Sequence, residues 1–204
     1  DLHIQDAKSS QDEAYAEHLS ARGDNLPLVA QFLYERYPDA FNKILQKMAE
    51  RVPGVSKVEA KPTVDGRIVL RFQDGAFKDP FIARYVSDGT IKMFAYLVLL
   101  YDPTPHPLLC VEEPENQLYP QLLLELAEEF REYAERGGQV FVSTHSPDFL
   151  NGVNLGEIYW LEKHDGFTLI KKASDDDNLK SLAAENDLPG ALWKQGLFKG
   201  ADPK

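Results

Sequence analysis

Two short apolar runs, each ending in polar residues able to do chemistry, constrain this chain more than any other feature. Leu108-Leu109-Cys110-Val111 leads directly into Glu112-Glu113, and Gln139 to Ser143 leads into Thr144-His145. Between them, Leu122, Leu123, Leu126, Ala127, Phe130, Tyr133 and Ala134 recur on one face of a helix that Gly137-Gly138 ends. A strand–helix–strand unit of this kind is a right-handed crossover, which can make its two strands near neighbours. Wholly apolar strands are those of a parallel sheet covered on both faces, so both runs are expected to be buried. In open α/β sheets ligands sit beyond the carboxyl ends of the strands, which here points to Glu112-Glu113 and Thr144-His145.

The rest of the chain fits an α/β domain. Residues 1 to 24 are polar and weakly patterned and read as a loosely attached leading segment. Asp24-Asn25 offers N-caps for a helix from Leu26, with Pro27 in its first turn. Tyr37-Pro38-Asp39 should split the apolar pattern of residues 26 to 48 into two helices, and Pro53-Gly54 should end it. Val55 to Lys61 and Arg67 to Phe72 are predicted strands around a turn at Asp65-Gly66. Thr90 to Tyr101 is a helix apolar on nearly every side and therefore buried. Ile158 to Glu162 and Phe167 to Lys172 are two further strands. An acidic loop at residues 174 to 177 and short helices over residues 179 to 198 follow.

Composition narrows the classes. With 204 residues, 43% hydrophobic and 27% charged, the chain is long enough for one globular domain with its own core. No apolar run is long enough to cross a bilayer, and the N-terminus has no signal-peptide pattern. The one cysteine, Cys110, lies in an apolar run and is expected to be buried, which excludes an internal disulfide or a zinc cluster and suits a cytoplasmic protein. Lys plus Arg is 22 against 33 Asp plus Glu, a net charge of -11, which argues against a large nucleic-acid footprint on these residues alone.

Three motifs carry chemistry. Adjacent carboxylates at the end of an apolar strand are costly to desolvate unless they hold a metal or do work. Successive strand residues face opposite ways, so Glu112 and Glu113 divide the tasks. One can hold Mg²⁺ while the other orients and deprotonates a water. The plain alternative is a pair of solvated acids where a strand ends. His145, at the next strand's end, can donate to a phosphate oxygen or to the attacking water; the alternative is an ordinary surface imidazole. Ser87-Asp88-Gly89-Thr90, just before the buried helix, can present a hydroxyl and backbone N–H groups to an anion, with Gly89 allowing close approach. Helix capping by Ser87 or Asp88 would explain the same residues.

Taken together, in this order and spacing, the motifs resemble the C-terminal half of ABC-type ATPases, P-loop NTPase-like heads with a central, mostly parallel sheet. The resemblance is to the soluble branch of chromosome-maintenance, recombination-repair and overcoming-lysogenization-defect ATPases, and it covers about residues 84 to 204. It makes Ser87, Asp88 and Gly89 the nucleotide-binding signature loop and Leu108 to Glu113 the Walker B strand. Glu112 then stands as the metal ligand, Glu113 as the catalytic glutamate and His145 as the switch histidine. Asn116-Gln117-Leu118-Tyr119-Pro120 falls at the D-loop position, with Asn116 at the nucleotide. Ala191 to Phe198 and Asp24 to Pro27 resemble segments of predicted ATPases of this branch. The implied cofactors are ATP and Mg²⁺. The implied partners are a second head across two sandwiched nucleotides, and DNA or an effector protein in repair or phage defence.

The sequence also departs from that pattern. Nowhere does Gly-x-x-x-x-Gly-Lys-Ser/Thr occur, so nothing cradles phosphates in the usual way. Residues 1–204 are therefore expected to form a single C-terminal lobe that works with a Walker A lobe lying outside them. Its parts would be the leading segment to residue 24, helices and a strand pair over residues 25 to 83, and the motif region from residue 84. Glu112 stands for the commoner Asp, and Asp88, Thr90 and Tyr119 differ from common residues. Two other functions compete: a non-catalytic scaffold that keeps the fold, and a metal-dependent nuclease using Glu112, Glu113, Glu115 and Asp175-Asp176-Asp177.

Overall fold

The computed structural model describes residues 2–12 and 14–201. The chain opens with α1 (Ile4–Ala7) and β1 (Gln11–Asp12), then α2 (Leu26–Arg36) and α3 (Pro38–Arg51). Pro38 separates the last two, as a proline that disfavours a helical residue before it should. Next come β2 (Val55–Pro62), β3 (Arg67–Asp74) and β4 (Phe81–Ile82). The motif region supplies α4 (Asp88–Leu100), β5 (Leu108–Glu112), α5 (Pro120–Glu135), β6 (Gln139–Ser143) and α6 (Pro147–Leu150). The chain continues through β7 (Tyr159–His164), β8 (Phe167–Lys172), α7 (Asp177–Ala184) and α8 (Pro189–Lys194).

The architecture is α/β with mixed sheets. β5 and β6 pair in parallel, with Leu108 opposite Gln139 and Glu112 opposite Ser143, so the two strands end level. Among the described residues, parallel pairing is confined to these two strands. The larger sheet runs β1-β3-β2 with β4 beside β3, and every pair in it is antiparallel. A tight turn between β2 and β3, with Gly66 at φ +77°, permits no other direction. β7 and β8 form a separate antiparallel hairpin.

α4 is the axis of the core. Ile91, Met93, Phe94, Ala95 and Leu97 are wholly buried on it, packed among α2, α3, α5 and the β2–β3 layer. Between α3 and α5 lies a buried ionic cluster. The Glu129 carboxylate has no exposure and accepts from the Tyr101 hydroxyl at 2.7 Å and Arg51 Nε at 3.2 Å, with Lys47 Nζ at 3.0 Å. Burial works against the Lys47 ammonium, but its hydrogen bonds to Glu129 and Glu132 hold its pKa above the ordinary value. A second apolar cluster of Ile158, Trp160, Leu179, Leu192 and Phe198 joins the hairpin to α7 and α8.

Three expectations are corrected. The leading segment is firmly packed: Ile4 and Ala7 are buried, α1 lies on α4, and β1 adds to β3. Asn25 spends its side chain on that segment, accepting from Ser20 N–H and donating to the His18 carbonyl, and does not cap α2. Finally, β5 and β6 are covered on one face only. Leu109, Val111, Val140 and Val142 face the core, whereas Leu108, Cys110 and Phe141 alternate onto an exposed face. Cys110 is therefore exposed, because strand alternation puts it opposite the buried Leu109.

Candidate active site at the strand ends

Level strand ends bring the two predicted polar stretches side by side. The Glu113 N–H extends the ladder by one bond, donating to the Ser143 carbonyl at 2.8 Å. Glu113 then turns into left-handed backbone space at φ +43°, which ends the strand and redirects its side chain. Its Oε2 accepts from the Asn116 amide at 2.9 Å, and its Oε1 lies 3.9 Å from His145 Nε2. The imidazole is largely open to solvent, 82% exposed, so it is free to meet a ligand. Glu113 and Asn116, from the loop after β5, thus converge with His145, from the loop after β6.

Glu112 closes β5 and is exposed, and its carboxylate has no side-chain partner among the described residues. An uncommitted carboxylate at a strand end fits a Mg²⁺ that takes one or two protein oxygens and completes its shell with phosphate and water. No group of three His, Cys, Asp or Glu among the described residues could hold a metal by itself. The Asp run is built as a helix start: Asp176 accepts from the N–H groups of Asn178 and Leu179, and Asp177 pairs with Lys180 at 2.6 Å. Nothing in the geometry gathers those acids with Glu112 and Glu113 as a nuclease would need.

Two residues of this neighbourhood were not singled out from sequence for the parts they play. Glu115 holds the loop after β6, accepting from Thr144 Oγ1 at 2.9 Å and from the His145 N–H at 2.7 Å. Thr144 Oγ1 in turn accepts from the Ser146 N–H, and Ser146 caps α6. Lys92, 1% exposed on α4, donates to the Asn116 carbonyl at 2.7 Å. Burial pulls its ammonium below the ordinary pKa, against the attraction of Glu115. A lone lysine in an otherwise apolar helix was the available signal.

Ser87 is the N-cap of α4, accepting from the Thr90 N–H at 3.2 Å and sharing a 2.7 Å bond with the Thr90 hydroxyl. With the Thr90 hydroxyl as donor of that shared bond, Ser87 caps through its lone pairs and keeps its own proton to donate, so capping and anion binding are compatible. Gly89 also makes a close contact inside the chain: a Cβ there would sit 3.0 Å from the Gln117 carbonyl. The start of α4 and the loop before α5 thus pack closely at Gly89 and Gln117 within this chain. Ser87 and Asp88 lie on the α4 side of that contact, and Asn116 with Glu113 lies on the other.

The sequence matches a protein-family profile described as "AAA domain, putative AbiEii toxin, Type IV TA system" over residues 6–151. That match begins in the leading segment and stops before the tail, so it takes in residues well upstream of the motif region. No protein of curated function matches the sequence. Among solved structures, one from work on ATP-driven dimerization and DNA-stimulated activation of SMC ATPases is similar with a TM-score of 0.52 and 16% identity, over 76% of this chain and 96% of that one. The Smc head domain with extended coiled coil bound to the C-terminal domain of ScpA, from Pyrococcus furiosus, gives 0.55 and 12% over 76% and 39%. The Smc head domain with a coiled coil and joint from Pyrococcus yayanosii gives 0.51 and 16% over 74% and 31%. The chain thus spans less than half of the last two, and at these identities the likeness is one of fold.

Proposed function

The chain belongs to this AAA domain family, a family of P-loop ATPases with an SMC-head-like fold, and from that premise we propose that it is the lobe of an ABC-type head that activates water for ATP hydrolysis. The convergence of Glu113, Asn116 and His145 carries the reading. Glu113 is placed to take the proton of an attacking water, with Asn116 holding one carboxylate oxygen and leaving the other toward His145. His145 is placed to donate to a phosphate oxygen, and Glu112 to hold Mg²⁺, which neutralises charge developing on the phosphates. Ser87, Gly89 and the start of α4 then serve the nucleotide of a second head, an arrangement supported by the ATP-driven dimerization described for the SMC relatives.

The phosphate loop itself has to come from outside these 204 residues, which contain no Gly-Lys pair. The uncovered face of β5–β6 supports a place for it. Parallel strands are normally covered on both faces, yet Leu108 is 48% and Phe141 57% exposed. A Walker A lobe docked there would cover this face of the sheet, next to the strand ends that carry Glu112 and His145. A DNA-linked task, repair or phage defence, is inferred from the family resemblance alone and gains nothing from the net charge of -11.

The test is ATP turnover by this chain joined to its phosphate-loop segment, beside the same protein carrying Glu113→Gln. Wild type is expected to turn over and the variant to lose at least about 100-fold, the lower end of general-base catalysis. The 204-residue chain alone is expected to be almost inactive. No turnover by the joined, folded protein with Mg²⁺ would sink the enzyme reading in favour of the scaffold.

A further inference from the structure

The loop that carries Ser87 is gripped by a residue almost 80 positions upstream. Lys8 follows α1, and its Nζ lies 2.5 Å from Asp88 Oδ1 and 2.5 Å from the Val86 carbonyl, the two residues flanking Ser87. The lysine side chain is 11% exposed and that of Asp88 34%, so the pair is partly shielded from water. Its position is set by α1, which packs on α4 and buries Ile4 and Ala7 in the same core. The leading segment is therefore part of the signature structure and not an appendage to it.

Asp88 poses an electrostatic problem that this contact resolves. It occupies the first turn of α4, where a carboxylate is favourable for the isolated helix but competes with any other anion for the same free N–H groups. A triphosphate approaching Ser87 and Gly89 would meet that negative charge at close range, where screening by salt is weak. We infer that Lys8 is a positioning residue of the signature loop: it cancels the Asp88 charge and clamps Val86 to Asp88, so that a second copy of the head can dock its bound triphosphate there. This rests on the head-dimer reading proposed above.

The experiment measures ATP-dependent dimerisation of the joined protein in the Glu113→Gln background by analytical ultracentrifugation, with melting curves as a fold control. Lys8→Met keeps the aliphatic stem and removes the charge; it is expected to weaken the ATP-bound dimer about tenfold or more. Lys8→Arg, which keeps the charge, is expected to stay within about threefold of the parent. Adding Asp88→Asn to Lys8→Met is expected to recover most of the loss, since the uncompensated carboxylate is its cause. A folded Lys8→Met protein that dimerises normally, or a loss that Asp88→Asn does not relieve, overturns the role of Lys8. Absence of any ATP-dependent dimer in the parent fails the head-dimer reading instead, and the inference with it.

Discussion

Glu113 sits in left-handed backbone space, a conformation that costs a residue with a Cβ roughly 1–2 kcal/mol. The surroundings hold it there: its N–H is tied to Ser143, its carbonyl accepts from the Asn116 N–H, and its carboxylate accepts from the Asn116 amide. His145 is held differently, through its backbone, by Glu115. Removing that acceptor should let the imidazole drift without touching Glu113. Glu115→Ala is therefore expected to lower kcat about 10- to 100-fold, as ångström-scale misplacement does, with KM changed by less than about threefold. Combined with His145→Ala, the losses should be far from additive, and full additivity would show that Glu115 does not act through His145. At this scale the placing of Glu112, Glu113 and His145 at two strand ends was legible, because local sequence sets a strand end. The contacts of Glu115, Lys92 and Lys8 were not, because their partners lie 30, 24 and 78–80 residues away and only the fold brings them together.

The element boundaries around the site follow from short-range chemistry. Pro38, Pro120 and Pro147 each open a helix, and β6 occupies the residues its apolar run predicts. What periodicity alone could not supply was which face of β5 and β6 the core would cover, since a run apolar at every position carries no face preference. Nor could it show how the tail supports the loop after β6. α8 packs on α6, directly behind Ser146, and the Gly190 N–H donates to Asn151 Oδ1 at 2.9 Å. A methyl at Gly190 would overlap the Pro147 carbonyl and lie 2.6 Å from Asn151 Oδ1. Gly190→Ala is accordingly expected to destabilise the protein by about 1–3 kcal/mol, the usual cost of overpacking, read as a lower urea midpoint at unchanged slope. An unchanged midpoint would mean that α8 floats free of α6.

For the molecule as a whole, stability should depend on acid pH through a few carboxylates. Burial works against the charge of Glu132, but hydrogen bonds from Lys47 and Tyr101 prevail and lower its pKa below 4.5; the Arg131 hydrogen bond does the same for Glu157. Groups with depressed folded pKa values stabilise fully above their unfolded value and lose that contribution as pH falls through the folded value. The urea midpoint is therefore expected to be flat with respect to these two groups from pH 7 to about 4.5 and to fall below it. Glu132→Gln should give a lower midpoint at pH 7 and a shallower acid fall, and an unaltered acid slope would remove Glu132 from the account. The sheet supplies another property at this scale. Cys110 is the chain's single thiol, and it stands on the open side of β5 between Leu108 and Phe141. An alkylating reagent thus has one address on this protein, and that address lies where a docked lobe would sit. The speed of its labelling is a built-in gauge of occupancy: rapid while the face is bare, slow once it is covered, and readable in a mixture without any engineered tag.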